Sequence, residues 1–294
     1  MKKKLLALLL CTTMVLNTGI TAVAAEETTF VALGENLSAE QRATVLGLLD
    51  LTEEELQECE VAYITNSEEH EYLDEYLGAS VIGTKSLSSV KITKAEEGSG
   101  IQVSTNNINY CTPDMYRNAL ITAGLEDVEV VVAGPINISG TAALIGVMKA
   151  YESITGEKMN EDAFEAATNE LVVTGELSEV LGDSDKASDF VAYIKQLIIE
   201  QGLKSKEDIE AAIREAMKEF GIDLTDEQIK ELTELLQKIS KLDIDVDALL
   251  SQAKGIYDKL KDMGVEFDAE AAKGFFEKYF SKIIDWIKGL LENK

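Results

Sequence analysis

The hydrophobic pattern of this chain changes once along its length, and that change limits the fold more than any other feature. Residues 27–155 mix strand patterns with helix patterns, whereas apolar residues after about residue 160 recur at helical spacing. We therefore predict an α+β (or α/β) fold. A mixed sheet with packed helices is expected at residues 26–156, followed by an all-helical bundle at 157–294.

Five segments in the first part have the composition or alternation of strands. Residues 29–33, 60–65 and 128–133 are rich in apolar and β-branched residues, and the last of these is expected inside the sheet. Residues 89–94 and 101–105 alternate polar and apolar positions on either side of a glycine-containing turn. This pattern predicts an antiparallel hairpin with one solvated face.

Helix starts are marked by capping residues. Ser38 is followed by Gln41 at capping-box spacing, and Thr112-Pro113 places a cap before a proline in the first helical position. Asn66 or Ser67 is expected to cap a short helix that carries His70.

Gly134-Pro135 is expected to break the strand before it, and Ser139-Gly140-Thr141 to open a helix that lasts to about Tyr151.

In the second part, Gly221 and Gly264 occupy equivalent places in two similar segments 43 residues apart. Each glycine is expected to end a helix in the left-handed conformation, and Thr225 is expected to cap the helix that follows Gly221. Helices are predicted near 160–172, 185–201, 205–220, 225–241, 245–262 and 269–292.

Residues 1–25 have the composition of a secretory signal peptide. Three lysines at positions 2–4 precede an apolar segment at 5–16, and Ala22-Val23-Ala24 is a small-residue cleavage signal. We predict cleavage near Ala24–Ala25 and a secreted, extracytoplasmic protein. An uncleaved anchor is one alternative, although the segment is shorter than the roughly 20 apolar residues of a spanning helix. A lipidated Cys11 is another.

The chain is strongly acidic, with 54 Asp and Glu against 27 Lys and Arg. Removal of the signal peptide would take the formal net charge from −27 to −30, because it removes three lysines and no acids. A nucleic-acid-binding role is excluded because it requires a basic surface. A solvated surface explains the charge, and attraction of divalent cations or a cationic partner is the alternative.

Two cysteines, Cys59 and Cys111, remain after cleavage. An even pair in an extracytoplasmic protein is a candidate disulfide. The alternative is two separate thiols that pack as small hydrophobic side chains.

Catalytic groups are few. A nucleophile–histidine site would have to use His70, which lies in a charged segment expected to be exposed. Zinc sites need several His or Cys ligands, so no zinc site is predicted. Ser-x-x-Lys occurs at Ser88–Lys91 and at Ser251–Lys254, in each case without the partner motifs of serine acyltransferases.

Carboxylates leave two alternatives open. A hydrolase needs only two acids at a suitable separation, and this chain has too many acids for the sequence to choose a pair. Asp243, Asp245 and Asp247 alternate as in a calcium loop but lack the required glycine and glutamate. Weak calcium binding therefore stays an alternative, and no cofactor is predicted.

Two further segments are candidate interaction sites. Ser139, Gly140 and Thr141 follow a strand and open a helix, which is a position where anions or small ligands bind. The last predicted helix carries an aromatic stripe that is either core or an interaction face for a membrane or protein partner. The residues of this possible interaction face are Phe276, Tyr279, Phe280 and Trp286.

Several separated blocks of sequence resemble one family of exported bacterial proteins. They include residues 34–42, 82–84, 112–116, 139–144 and 238–243. The chain resembles the family catalogued as domain of unknown function 1002, mainly from Gram-positive bacteria, over about residues 30–250. The resemblance implies secretion and an envelope-side role, and it supplies no activity, substrate or catalytic residue.

The sequence favours a non-catalytic binding or interaction module of the cell envelope. The alternatives are an extracellular hydrolase that uses paired carboxylates and a calcium-binding accessory factor. The partner is open: an envelope component or another protein fits equally well.

Overall fold

The structure is a computed structural model, and it describes residues 29–244 and Leu249. Several predictions lie outside the described residues: the signal peptide, the aromatic stripe from Phe276 to Trp286, the turn at Gly264 and the two helices expected after residue 244. Within the described part the fold is α+β, as predicted. A five-stranded mixed sheet in the first part is followed by a succession of helices.

The sheet has the strand order β2-β1-β3-β5-β4. Four strands run in one direction and β3 runs against them, since β1 pairs in parallel with β2, β4 pairs in parallel with β5, and β3 lies antiparallel between β1 and β5. The strands are β1 (Thr29–Gly34), β2 (Glu60–Ile64), β3 (Ser89–Lys94), β4 (Ile101–Ile108) and β5 (Val128–Ile138).

The predicted hairpin of residues 89–94 and 101–105 is wrong. Both segments are strands, but β5 lies between them and pairs with each. The alternating pattern shows which residues of each strand face the core. It does not show which strand lies next to it in the sheet, and the hairpin prediction failed for that reason. The apolar residues of β5 pack best where strands flank it on both sides.

Strand β5 was expected to end at Gly134-Pro135, but it continues to Ile138. Pairing with β3 stops at Ala133, so Pro135 has no ladder partner on that side. The other ladder has an irregularity at Asn107, which has a positive φ of 58° and donates from Nδ2 to the carbonyl of Gly134 at 3.0 Å. A bulge of this kind accommodates the proline.

Helices cover both faces of the sheet. Phe30 and Ala32 of β1 face a core shared with α5 and α6, which we call the α6-side core. Val31 and Leu33 face a smaller core shared with α1 and α2, the α1-side core. The helices of this part are α1 (Ala39–Leu48), α2 (Glu53–Leu56), α3 (Asn66–Leu73), α4 (Ala79–Ile82), α5 (Pro113–Thr122) and α6 (Thr141–Thr155).

Four longer helices follow, at or near the predicted positions. They are α7 (Glu161–Leu181), α8 (Ser184–Gln201), α9 (Lys206–Phe220) and α10 (Asp226–Ile239). Helix α7 is longer than predicted, and so is α6. A third core fills the space between these helices and includes the apolar face of α10, which consists of Ile229, Leu232, Leu235, Leu236 and Ile239. None of the described helices combines the length and apolar character needed to cross a bilayer.

Helix α5 connects the two parts through a buried ion pair. Lys195 of α8 and Glu170 of α7 are both 0% exposed, and Lys195 Nζ lies 2.8 Å from Glu170 Oε1. The same ammonium group donates to the backbone carbonyl of Asn118 at 2.8 Å and to the hydroxyl of Thr122 at 3.1 Å. Thr122 in turn donates to Glu170 Oε2. All three donors of the lysine are therefore used within the helices.

The predicted turn signals are largely confirmed. Ser38 and Thr225 form capping boxes, and Thr112 caps α5 with Pro113 at the first helical position. Gly221 ends α9 with a φ of 59°. One cap differs, because α3 is capped by Thr65 and not by Asn66 or Ser67. The domain boundary predicted at residues 156–157 falls in the connection from α6 to α7 and stays a prediction.

Candidate ligand-binding site

One edge of the sheet collects the chain segments that form a cavity of about 530 Å³. The four parallel strands end at this edge and β3 begins there. Ligands of open α/β sheets characteristically bind outside the carboxyl ends of the strands, since the loops and helix starts that follow them converge there.

Five short segments line the cavity. They are the start of α3, the region around α4, the residues before β3, the residues after β4, and the turn from β5 into α6. The lining residues are Glu69, Ser80, Val81, Ile82, Gly83, Thr84, Lys85, Leu87, Ser88, Asn109, Tyr110, Ile138, Ser139 and Thr141. Hydroxyl and amide groups predominate among their polar atoms.

Glu69 is the buried charge of the cavity. Its side chain is turned inward from α3, and the residue is only 1% exposed. The carboxyl oxygen Oε2 accepts a hydrogen bond from Thr141 Oγ1 at 2.6 Å. The other oxygen, Oε1, makes no hydrogen bond, and the nearby Ser86 hydroxyl is also buried without one. A buried carboxyl oxygen without a donor costs free energy, so the burial of Oε1 needs an explanation.

Burial raises the pKa of Glu69 above its ordinary value, because the charged form loses its hydration. The hydroxyls of Thr141 and Ser86 and the amide of Asn66 oppose this rise, as does the nearby imidazole of His70. Ser86 and Asn66 are close enough to act on the charge, but neither makes a well-formed hydrogen bond with Oε1.

The start of α6 is built to approach Glu69 closely. Gly140 is its N-cap and has a φ of 99°, a left-handed conformation that favours glycine. A Cβ at this position would lie 2.8 Å from the Tyr116 hydroxyl, which donates to the Gly140 carbonyl at 2.7 Å. Because Gly140 has no side chain to cap the helix, Ser88 supplies an acceptor for the backbone N–H of Ala143 at 3.0 Å. The positive end of the helix thus faces the carboxylate.

His70 braces the wall opposite this helix start. Its Nδ1 lies 2.7 Å from Asp74 Oδ1, and its Nε2 lies 3.1 Å from the carbonyl oxygen of Gly83, a lining residue. Both partners are acceptors, so the doubly protonated ring fits this site best. Asp74 and then the Gly83 carbonyl raise the pKa of His70. The expectation of a plain surface histidine is therefore corrected, since the ring is half-buried and joins α3 to the segment after α4.

The structure brings together part of the predicted ligand site. Ser139 and Thr141 line the cavity and lie 3.2 Å apart at their hydroxyl oxygens. Gly140 is buried behind them. The helix N-terminus that we considered for an anion already faces the carboxyl group of Glu69.

Sequence reasoning missed Glu69, because the acidic segment that contains it was interpreted as exposed. A signal was present in helical spacing: Leu73 and Leu77 lie four and eight residues after Glu69, and all three residues are buried.

The candidate disulfide is corrected by the structure, in which both cysteines are free. Cys111 is buried in the α6-side core, whereas Cys59 packs against the α1-side core on the opposite face of the sheet. The sheet separates the two thiols, so the alternative of two independent thiols describes them.

The cavity lining does not contain the pair of acids that the hydrolase alternative requires. Glu69 is the single acidic residue among those that line the cavity. Among residues 29–244 and Leu249, no group of three or more His, Cys, Asp or Glu side chains is placed to hold a metal ion. Asp243 is described, but Asp245 and Asp247 are not.

Comparisons with known proteins agree with the resemblance noted above. The family described as "Protein of unknown function (DUF1002)" matches residues 33–256. A Bacillus subtilis (strain 168) protein named "Uncharacterized protein YpuA" is 38% identical over 250 residues, which cover 84% of this chain and 83% of that protein. No solved structure matches the chain.

Proposed function

The chain belongs to the DUF1002 family of proteins of unknown function, and we propose that it is a non-catalytic binding module that holds a small polar ligand in the cavity beside Glu69. We further propose that it does so outside the cytoplasm, on the cell-envelope side, as its N-terminal sequence predicts.

One observation carries the binding proposal: a buried carboxyl group with an unpartnered oxygen lies at the carboxyl edge of the sheet, against a cavity large enough for a metabolite-sized ligand. Typical small-molecule sites have volumes of about 300–1,000 Å³ and a few converging polar groups. Buried polar atoms are nearly always paired in proteins, so an unpaired one beside a cavity supports a site for a polar group that arrives with a ligand.

Binding is favoured over hydrolysis by the number of acids in the cavity. Glycoside hydrolysis by the usual route needs two carboxyl groups that face each other across the bond to be cleaved. The lining supplies one carboxyl group, together with hydroxyls that no described histidine activates. These groups can orient a ligand, and they offer no pair of acid and base.

The binding proposal is tested by filling the cavity. Ser139→Trp places a large ring among the lining residues, and Thr44→Trp places the same ring on the exposed surface of α1 as a control. Each protein, purified from the producing cell, would be measured by native mass spectrometry for a bound small molecule. We expect an adduct on the natural chain and on Thr44→Trp, and its loss from Ser139→Trp. An adduct that Ser139→Trp retains, or its absence from the natural chain, would contradict the proposal.

The proposed location is tested separately. N-terminal sequencing of the protein from the culture medium and from the envelope fraction should find a chain that begins near Ala25. A chain that retains Met1 and stays in the cytosolic fraction would contradict the export proposal and leave the cavity unaffected.

A further inference from the structure

We propose that the ligand carries a primary ammonium group, and that this group donates to Glu69 Oε1 in the cavity. The inference rests on the proposed binding function and names the chemical class of the ligand.

Two buried glutamates of this chain have similar surroundings. Glu170 and Glu69 each accept a hydrogen bond from a threonine hydroxyl on Oε2, from Thr122 and Thr141 respectively. In Glu170 the other oxygen receives the ammonium group of Lys195 at 2.8 Å. In Glu69 the other oxygen receives no donor. The two sites thus differ by one ammonium group, and Glu69 lines the cavity.

A second unpartnered atom, the hydroxyl oxygen of Ser86, lies close to Glu69. The hydroxyl of Ser86 is fully buried without a hydrogen bond and acts on the charge of Glu69. An ammonium group has three donors, so it can satisfy Glu69 Oε1 and the Ser86 oxygen together. In the Lys195 site one ammonium group likewise satisfies a carboxylate and a threonine hydroxyl.

Charge balance favours a cation over an anion or a neutral group. No described lysine or arginine forms an ion pair with Glu69, so its charge is compensated only by hydroxyl, amide and helix dipoles and by the imidazolium of His70. Lys85 also lines the cavity, but it is exposed, and solvent screens its charge. An anion would be repelled by the carboxylate. A neutral hydroxyl could donate a hydrogen bond to the carboxylate but would bring no positive charge to offset its buried negative charge.

A divalent cation fits the site poorly. Calcium takes six to eight oxygen ligands, several of them carboxylates, whereas this cavity supplies one acidic side chain. A primary ammonium group needs only one carboxylate and two neutral acceptors, which is the set that surrounds Lys195.

The test uses ethylammonium chloride as a probe that is small enough for the cavity, with tetramethylammonium chloride at equal ionic strength as the matched cation without N–H donors. Thermal unfolding would be followed for the full mature chain, for Glu69→Gln and for Glu71→Gln. Glu71 is an exposed acid on the same helix and serves as the control.

Ethylammonium should raise the melting temperature of the natural chain and of Glu71→Gln, whereas tetramethylammonium should not. In Glu69→Gln the affinity for ethylammonium should fall about ten-fold or more, since a charge-assisted hydrogen bond is lost. Without any probe, Glu69→Gln should melt at the same temperature as the natural chain or higher, because the substitution removes a desolvated charge.

A second measurement needs no variant. The ¹³C resonance of the Glu69 carboxyl group reports its pKa, and ethylammonium should lower that pKa because a cation stabilises the charged form. An equal response to both cations, an undiminished response in Glu69→Gln, or an unchanged Glu69 resonance would overturn the inference. If any of these results were found together with an adduct that Ser139→Trp abolishes, the proposed binding function would still hold. Only the proposal that the ligand carries an ammonium group would be rejected.

Discussion

At the scale of single residues, Glu69 and Glu170 are both buried, but their carboxyl groups have different surroundings. Glu170 is surrounded by protein donors, and its lysine partner uses all its donors within three helices. Such a pair contributes little net stability when complete, because desolvation offsets the attraction of the charges. Removal of only one partner costs much more stability, because the other charge then stays buried without a partner. The pair is therefore a sensitive probe of how α5, α7 and α8 pack together.

Lys195→Met should therefore destabilise the protein by about 3–5 kcal/mol, since it leaves the charge of Glu170 buried and unpaired. The double variant Lys195→Met with Glu170→Met should recover part of this loss. Lys218→Met, which removes the surface partner of Glu215, serves as the control and should change little. Urea unfolding measures all three, and equal effects of the two lysine substitutions would contradict the prediction.

His70 makes the stability of the cavity wall depend on pH. Asp74 and the Gly83 carbonyl raise the pKa of His70, so the folded state holds the proton more tightly than the unfolded chain. This contribution is fully present below the unfolded pKa of about 6.5 and is lost as the pH rises through the higher folded pKa. We expect the stability difference between the natural chain and His70→Gln to shrink as the pH is raised from about 5.5 to about 9. Chemical unfolding at several pH values measures it, and a difference that is constant over this range would contradict the assignment.

At the scale of elements, the close packing of α6 on the sheet depends on a glycine. A Cβ added at Gly146 of α6 would lie 2.6 Å from the Cβ of Ala32 and 3.0 Å from Cγ1 of Val90. These residues belong to β1 and β3, which pair at this position. The glycine therefore sets how closely α6 lies on the sheet, and the helix carries the Thr141 hydroxyl of the candidate site at its start.

Gly146→Ala should destabilise the protein by about 1–3 kcal/mol through overpacking, although alanine is the better helix former. Gly47 of α1 is the matched control, since a Cβ there meets no atom within 4 Å. Gly47→Ala should stabilise the protein by about 0.5–1 kcal/mol. Urea unfolding separates the two signs, and stabilisation by both substitutions would show that α6 can move away from the sheet at little cost.

Elements with local signals could be predicted from the sequence, whereas their neighbours could not. Thr112-Pro113 and Gly221 were identified because caps and left-handed turns depend on adjacent residues. The placement of β5 between β3 and β4 was missed because strand pairing depends on distant residues.

The candidate site shows the same division. Ser139 and Thr141 were found because they follow a strand and open a helix. Glu69 was missed because its burial depends on how α3 packs against α6, and its local sequence is as acidic as an exposed segment.

At the scale of the whole molecule, the main electrostatic feature is self-repulsion. The formal net charge is −27, because Asp and Glu outnumber Lys and Arg by 54 to 27. Repulsion among so many like charges opposes the compact state. Dissolved salt weakens this repulsion, with a screening length of about 10 Å at 0.1 M.

The melting temperature should therefore rise as sodium chloride is added at neutral pH, and potassium chloride should act equally. Calcium chloride at matched ionic strength tests the calcium alternative, because a specific site would add stabilisation beyond screening. A melting temperature that falls or stays constant with sodium chloride would show that the surface ion pairs outweigh the repulsion.

The position of β5 has a consequence for the order in which the chain acquires its shape. The chain is synthesised from its N-terminus, so β1, β2 and β3 can associate first. Strand β4 has no strand to pair with until residues 128–138 have been made. A nascent chain that stops before residue 128 can therefore form a three-stranded sheet of β2, β1 and β3 but leaves β4 unpaired, and it lacks the part of the cavity lining that follows β5. Of the strands in the described part of the chain, β5 is thus the last to be made, and it is the one that joins β4 to the rest of the sheet.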